Sequence, residues 1–235
     1  MERKIIVCLK KGGQRDMAEA FAERIGAVLT EQPGEELTVL FDASGVSLIG
    51  YGLTYQGNFE TMLHRVTCGR LQHEMLVRAA KKNGDSLKGI DATAGMGEDA
   101  FLLAAYGYEM TLYEQNPVVA ELLKDALRRA RNHPLLKEIA ERMTLIEEDS
   151  VDGLKNSRGE NDLIYLDPMF PGRQKSGLIN KKLQLIQKLE PPCSKEEELF
   201  DAAIQAGPSK IVVKRPLKSP FLAGRKPTYE LKGKA

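Results

Sequence analysis

The stretch Leu87-Lys88-Gly89-Ile90-Asp91-Ala92-Thr93-Ala94-Gly95-Met96-Gly97-Glu98-Asp99-Ala100 decides the fold class. A short apolar run ends in an acid, passes through a turn bearing two glycines and enters a segment with helical spacing. That is how a strand hands a nucleotide-type ligand to a helix N-terminus. The same alternation continues downstream: helix Asp99 to Tyr106, strand Met110 to Glu114, helix Pro117 to Arg131 and strand Met143 to Glu147. A short helix around Val151 to Leu154, strand Leu163 to Leu166, a helix from Lys181 and strand Lys210 to Val213 complete it. Repeated βα units imply an α/β fold with a mainly parallel, doubly wound sheet. Ligands of such sheets lie at the carboxyl ends of the strands, near the switch in strand order.

Upstream of this series, Ile5 to Leu9 reads as a strand, Gln14 to Leu29 as an amphipathic helix, and Leu37 to Phe41 and Val46 to Ile49 as two further strands. These predict a small N-terminal α/β subdomain over residues 1–55, with a second domain over 56–235. The polar, glycine-bearing stretch Tyr51 to Asn58 reads as the linker or as a substrate-facing loop, and a helix from Arg70 to Lys82 leads into the second domain.

Composition narrows the function classes. Hydrophobic content of 42% and charged content of 29% suit a water-soluble globular chain, and no apolar run approaches the length of a membrane span. The apolar run at Ile5 is too short for a signal peptide, so a cytoplasmic protein is expected. Cys8, Cys68 and Cys193 lie far apart, as neither a disulfide framework nor a zinc motif would have them, and no metal is expected. A net charge of +1 says little about partners, but its distribution says more. Gly172 to Lys188 carries Arg173, Lys175, Lys181, Lys182 and Lys188 without an acid. From Gly207 onward, eight cations including Lys214 and Arg215 face only Glu230. One such run is ordinary solvated surface. Two runs flanking a proposed base pocket point to phosphate contacts.

Gly95 and Gly97 are where a backbone must come close to a ligand, and Glu114 ends the next strand about twenty residues on, placed to accept both ribose hydroxyls. The pairing serves NAD and S-adenosylmethionine alike. Asp91, ahead of the glycines, suits the cationic methionine end of S-adenosylmethionine, whereas a dinucleotide site keeps that region for pyrophosphate. Asp149-Ser150 reads equally as an adenine contact and as a helix N-cap, and Glu98 and Asp99 as acids favoured by a helix N-terminus. After the strand Leu163 to Leu166 comes Asp167-Pro168-Met169-Phe170-Pro171. Such a turn can be ordinary strand-ending punctuation, but an acid, a rigid turn and an aromatic can also hold a flat base by its amino group, with Asp167 and the Pro168 carbonyl accepting from the amine and Phe170 stacking on the ring.

The segments DATAGMGEDAFLLA, LYEQNPVVAELL, YLDPMFPGRQKSGLINKK and IVVKRP closely resemble the ribosomal small-subunit methyltransferase J family. The resemblance runs from about Gly52 to Pro216 and is weak before about Gly45; the family pattern also continues into a last strand past Ala235. It implies a Rossmann-like class I methyltransferase that takes S-adenosylmethionine and methylates the exocyclic N2 of a guanosine in 16S ribosomal RNA, free or within the small subunit. By position, the implied cofactor contacts are Glu98, Asp99, Glu114, Gln115, Asp149, Ser150 and Asp167.

Other readings are open on the residues alone. An Asp-Pro turn also serves methyltransferases of adenine N6 in DNA or of protein glutamine. The glycine turn with Glu114 also serves an NAD-dependent oxidoreductase, which leaves the Asp-Pro turn and the basic flanks unused. A nucleic-acid-binding module keeping a vestigial cofactor fold is the third.

Overall fold

Leu163-Ile164-Tyr165-Leu166 has no polar alternation, and all four residues are buried. Such a run forms an interior strand of a parallel sheet covered on both faces. In the computed structural model, which describes residues 5–34, 37–67, 69–82, 84, 87–157, 159–168, 185, 186, 189 and 195–233, this strand is β9. It lies between β6 (Leu87–Asp91) and β10 (Lys210–Val213). With β7 (Tyr108–Tyr113) and β8 (Met143–Ile146) they form a five-stranded sheet in the order β10-β9-β6-β7-β8, and every pairing in it is parallel. The chain runs outward from β6 through β7 to β8, then crosses back to β9 and β10. The switch in strand order therefore falls between β6 and β9.

Register brings the chemistry-bearing positions to one end of this sheet. Asp91 is level with Tyr165, and Leu166 with Val213, so Asp167 and Lys214 each stand one residue past the last pair. The Lys214 N–H donating to the Leu166 carbonyl at 2.9 Å carries the alignment to that point. Below the site, Ile90, Ala92, Ile164 and Leu166 pack with Val151 and Leu154 of α7 (Ser150–Asn156) and with Leu199, Ala202 and Ala203 of α8 (Glu196–Gln205). The other helices of this unit are α2 (Leu63–Val66), α3 (Met75–Ala80), α4 (Glu98–Tyr106) and α6 (Lys137–Glu141). The Phe59 ring stacks on Phe101 of α4 with centroids 4.7 Å apart.

A second compact unit is formed by residues up to Asn58 together with Asn116–Arg129, which is nearly all of α5 (Pro117–Arg131). Its sheet runs β2-β1-β3-β4-β5, parallel from β2 (Val28–Thr30) through β1 (Ile6–Leu9) to β3 (Thr38–Asp42) and antiparallel through β4 (Gly45–Gly50) and β5 (Leu53–Tyr55). Asp125 of α5 is 1% exposed, accepts from the Val46 N–H at 3.0 Å and pairs with Arg128 at 2.6 Å and Arg129 at 2.8 Å. Gly45 makes this approach possible. A Cβ there would stand 2.4 Å from an Asp125 carboxylate oxygen, and the φ of +118° is one that glycine alone adopts at low cost.

Four expectations change. The first helix, α1, covers Arg15–Arg24 rather than Gln14 to Leu29, because Gly26 at φ +63° turns the chain and frees Val28–Thr30 to pair with β1. The stretch expected as a linker contains β5, since Tyr51 (φ 52°) and Gly52 (φ 73°) make the doubly positive two-residue turn that joins tight hairpins. The helix expected over Arg70 to Lys82 is a 3-10 turn, Leu71–His73, followed by α3. Neither α6 nor α8 was anticipated. The helix expected from Lys181 starts outside the described residues.

Replacing Asp125 with alanine removes the buried carboxylate that pairs with Arg128 and Arg129 and accepts from the Val46 N–H. Losing one partner of a buried ion pair costs about 3 to 5 kcal/mol, and the low end is expected because the Arg128 side chain is 41% exposed. Urea denaturation of Asp125→Ala reads this as a lowered midpoint; a midpoint equal to the wild type's contradicts it.

Candidate active site

The loop after β6 is built as a cradle. Gly95 and Gly97 both take left-handed φ, 51° and 72°, and Gly97 is the residue from which α4 starts. The Gly95 N–H donates to Glu114 Oε2 at 3.0 Å, tying the loop to the end of β7, where Glu114 is buried. Asp91, at the end of β6, is 1% exposed. Its Oδ1 accepts from the Thr93 N–H at 3.0 Å and the Thr93 hydroxyl at 3.3 Å. Burial pushes the Asp91 carboxyl up to about 7; the Thr93 bonds oppose that, and the charges of Asp99 and Asp167 add to it.

Thr93 also reaches the turn after β9. Its hydroxyl oxygen accepts from the Asp167 N–H at 2.7 Å, so one side chain fixes both strand ends against each other. Asp99, in the first turn of α4, accepts at Oδ2 from the Tyr165 hydroxyl and from the Lys214 ammonium, both at 2.6 Å. The same ammonium stands 3.0 Å from Asp167 Oδ2. Burial raises the Asp167 carboxyl, Lys214 works against that rise, and Asp99 supports it. For Lys214, burial lowers the pKa, but the charges of Asp99 and Asp167 outweigh burial and the net shift is upward. Tyr165 is held neutral by burial and by the three surrounding acids.

The structure thus brings together Asp91, Gly95, Gly97, Asp99, Glu114, Asp167 and Lys214. Pro168 is buried directly after Asp167, Glu98 sits half-buried beside Asp99, and Gln115 is exposed after Glu114. Asp149 caps α7, accepting from the Val151 N–H at 2.9 Å, and Ser150 is the first residue of that helix. Arg215 donates to both Glu196 oxygens, at 3.0 and 3.3 Å, and to the Pro220 carbonyl. Phe170, Arg173, Lys175, Lys181 and Lys182 lie outside the described residues. Thr93 and Tyr165 carry contacts that the sequence reading gave them no role in. Tyr165 was hidden in an apolar run, although a lone hydroxyl there already calls for a partner. Among the described residues no cluster of metal-ligating side chains occurs, and no helix is long and apolar enough to cross a membrane.

Chemically, three acids at one strand switch with, among the described residues, a single close ammonium favour a cationic ligand and disfavour a pyrophosphate. The family model described as "Putative SAM-dependent methyltransferase" matches residues 54–235. A relative from Pseudomonas aeruginosa, named "Ribosomal RNA small subunit methyltransferase J", is 37% identical over 231 residues, 94% of this chain and 88% of its own length. One of the same name from Thioalkalivibrio sulfidiphilus is 36% identical over 233 residues, 94% of this chain and 90% of the relative. The crystal structure of a SAM-dependent methyltransferase from Neisseria gonorrhoeae superposes with a TM-score of 0.74 at 28% identity, covering 95% of this chain and 90% of that one. The two relatives and the crystal structure, each covering 94% or more of this chain, also match ahead of Gly45, where the sequence resemblance was weak. With an all-parallel sheet whose strand switch gathers acids suited to a sulfonium, and with relatives matching along nearly its whole length, the chain belongs to the S-adenosylmethionine-dependent ribosomal RNA small subunit methyltransferase J family.

Proposed function

We propose that this enzyme transfers a methyl group from S-adenosylmethionine to the exocyclic N2 of a guanosine in 16S ribosomal RNA, free or in the small subunit. The observation that carries the reading is the adjacency of Asp167-Pro168 to the acids and glycine turn at the ends of β6 and β7. An amine acceptor then stands beside a cofactor cradle, in a chain whose relatives bear that name. Cytoplasmic ribosomal RNA is the corresponding location. Residues 56–235 hold the chemistry in this reading, with 1–55 as an appended subdomain.

The donor set fits the cofactor. Glu114 accepts from the ribose hydroxyls while it braces Gly95, the left-handed Gly95 and Gly97 admit close approach, and Asp91, Glu98 and Asp99 face the cationic amino-acid end. Gln115, Asp149 and Ser150 border the adenine. When bound, S-adenosylmethionine supplies an electrophilic methyl on a positively charged sulfur. The guanine N2 lone pair is delocalised into the ring, so the protein's task is to orient and desolvate it. Asp167 and the Pro168 carbonyl accept the two N–H groups, which pyramidalises the nitrogen and turns its lone pair outward. Phe170 stacks on the flipped base, a contact worth about 1 to 3 kcal/mol. The methylated amine is acidic and loses its proton to water, so Asp167 need not act as a base. Arg173, Lys175, Lys181 and Lys182 supply phosphate contacts, which fix register without reading sequence; Arg215 was assigned to the same group, but its guanidinium is engaged by Glu196 and the Pro220 carbonyl. Lys214 was assigned to the same group, but its ammonium is engaged by Asp99 and Asp167.

The defining experiment incubates the enzyme with labelled S-adenosylmethionine and unmodified small subunits or free ribosomal RNA, followed by nucleoside analysis. Label is expected in N2-methylguanosine; label in another nucleoside removes the proposed target. In Asp167→Ala, turnover should fall by about 10² to 10³, the cost of removing one stabilising hydrogen-bond partner of a transition state. Binding of S-adenosylhomocysteine, measured separately, should change far less, and undiminished turnover would refute the role given to Asp167.

Asp91 generates a pH dependence with a definite sign. A cationic ligand favours the carboxylate, yet the carboxyl is protonated below about 7. Affinity for S-adenosylmethionine should therefore rise with pH toward 7 and level off above it, by up to about tenfold per unit where one proton is released. Titration calorimetry at several pH values reads this directly. Asp91→Asn should flatten the profile, and a wild-type profile that is already flat rules the linkage out.

A further inference from the structure

Lys214 stands at the carboxyl end of β10, in a run of cations whose sequence suggests an RNA-facing surface. Its ammonium instead lies 2.6 Å from Asp99 Oδ2 and 3.0 Å from Asp167 Oδ2. Among the described residues it is the one cation within 4 Å of the Asp167 carboxylate. Both ends of the bridge are anchored. Asp99 also accepts from the Tyr165 hydroxyl at 2.6 Å, and the Asp167 N–H donates to Thr93 at 2.7 Å. The backbone bond from the Lys214 N–H to the Leu166 carbonyl fixes the lysine's root level with Asp167 in register.

We propose that Lys214 is a positioning residue for methyl transfer: by bridging Asp99 and Asp167 it holds one oxygen of Asp167 in place, so that the carboxylate meets the substrate amine charged and in a fixed orientation. The inference rests on the proposed role of Asp167 and goes beyond it by assigning its state to a residue on a neighbouring strand. A carboxylate with both oxygens free rotates about χ2, and a neutral carboxyl turns one acceptor into a donor. Either change degrades the alignment that a weak nucleophile needs.

The surroundings make the lysine necessary. Asp167 faces Asp99 from α4 and Asp91 from β6, whose charges disfavour a further negative one, while Tyr165 on its own strand is neutral; Arg215, past the end of β10, adds a second cation. Burial acts in the same direction as the acids, and the ammonium is the largest opposing influence. Without it, Asp167 gains a proton at higher pH.

The test compares wild type, Lys214→Met and Lys214→Arg by two readouts. In carbon-13 NMR of side-chain-labelled aspartates, with Asp167→Asn used to assign the signal, the Asp167 titration should move up by one pH unit or more in Lys214→Met and return toward wild type in Lys214→Arg. In methyl transfer, Lys214→Met should lose at least tenfold in kcat near neutral pH and recover as pH rises, while Lys214→Arg keeps most of the activity. An unmoved Asp167 titration overturns the proposal, as does a loss of activity that is the same at every pH. Failure of Lys214→Arg to do better than Lys214→Met in both readouts overturns it as well. Should wild-type enzyme methylate no ribosomal RNA, it is the functional reading that fails, and the NMR titration still decides the lysine's role.

Discussion

Three carboxylates, those of Asp91, Asp99 and Asp167, converge where β6 and β9 end, and the local structure is organised around keeping them there. Like charges partly withdrawn from water repel one another strongly. The fold answers with four devices. Asp91 is buried far enough to hold a proton near neutrality. The Tyr165 hydroxyl donates to Asp99. Lys214 bridges Asp99 to Asp167. Thr93 locks the backbone of the β9 turn to the loop that carries Asp91. None of these would be worth its desolvation cost as a contribution to stability, since buried ion pairs rarely repay it. They are intelligible as an arrangement awaiting a cation.

Placement follows from the sheet. In parallel strands the carboxyl ends all point the same way, so residues one or two positions past each strand are neighbours however distant in sequence. Asp99 and Lys214 are 115 residues apart, and Thr93 and Asp167 are 74 apart. What fixes the contact is register: Asp91 opposite Tyr165, Leu166 opposite Val213. A slip of a single residue would turn Tyr165 away from Asp99 and carry the Asp-Pro turn off the Thr93 hydroxyl.

This explains which parts of the molecule could be read from its residues. Strand and turn chemistry is local, so Leu87–Asp91, Leu163–Leu166 and Lys210–Val213 appeared with their observed limits, and the segments after β6 and β9 stood out by their glycine, proline and terminal acids. Element lengths around Gly26 and the Tyr51-Gly52 turn were misread because each depends on a single positive φ that the pattern of apolar residues does not register. The partners of side chains were least legible. Lys214 lies in a run of cations whose composition suggests phosphate, and nothing within its own strand indicates that its ammonium turns toward two acids. Asp125 likewise looks like an ordinary charge on an amphipathic helix, although it closes a bond to Val46, 79 residues away.

The same electrostatics bear on how a polyanion can be served by a site lined with acids. Left alone, the cluster repels both a phosphate backbone and the electron-rich edge of a base. Lys214 offsets part of that charge from within, and a cofactor carrying a sulfonium and an ammonium offsets more, so the loaded site is the one electrostatically fit to admit RNA. On the proposed function, an anionic pocket on a chain with basic flanks is no contradiction: the flanks would attract the backbone, and the pocket would become receptive to a base when its cationic cofactor is in place.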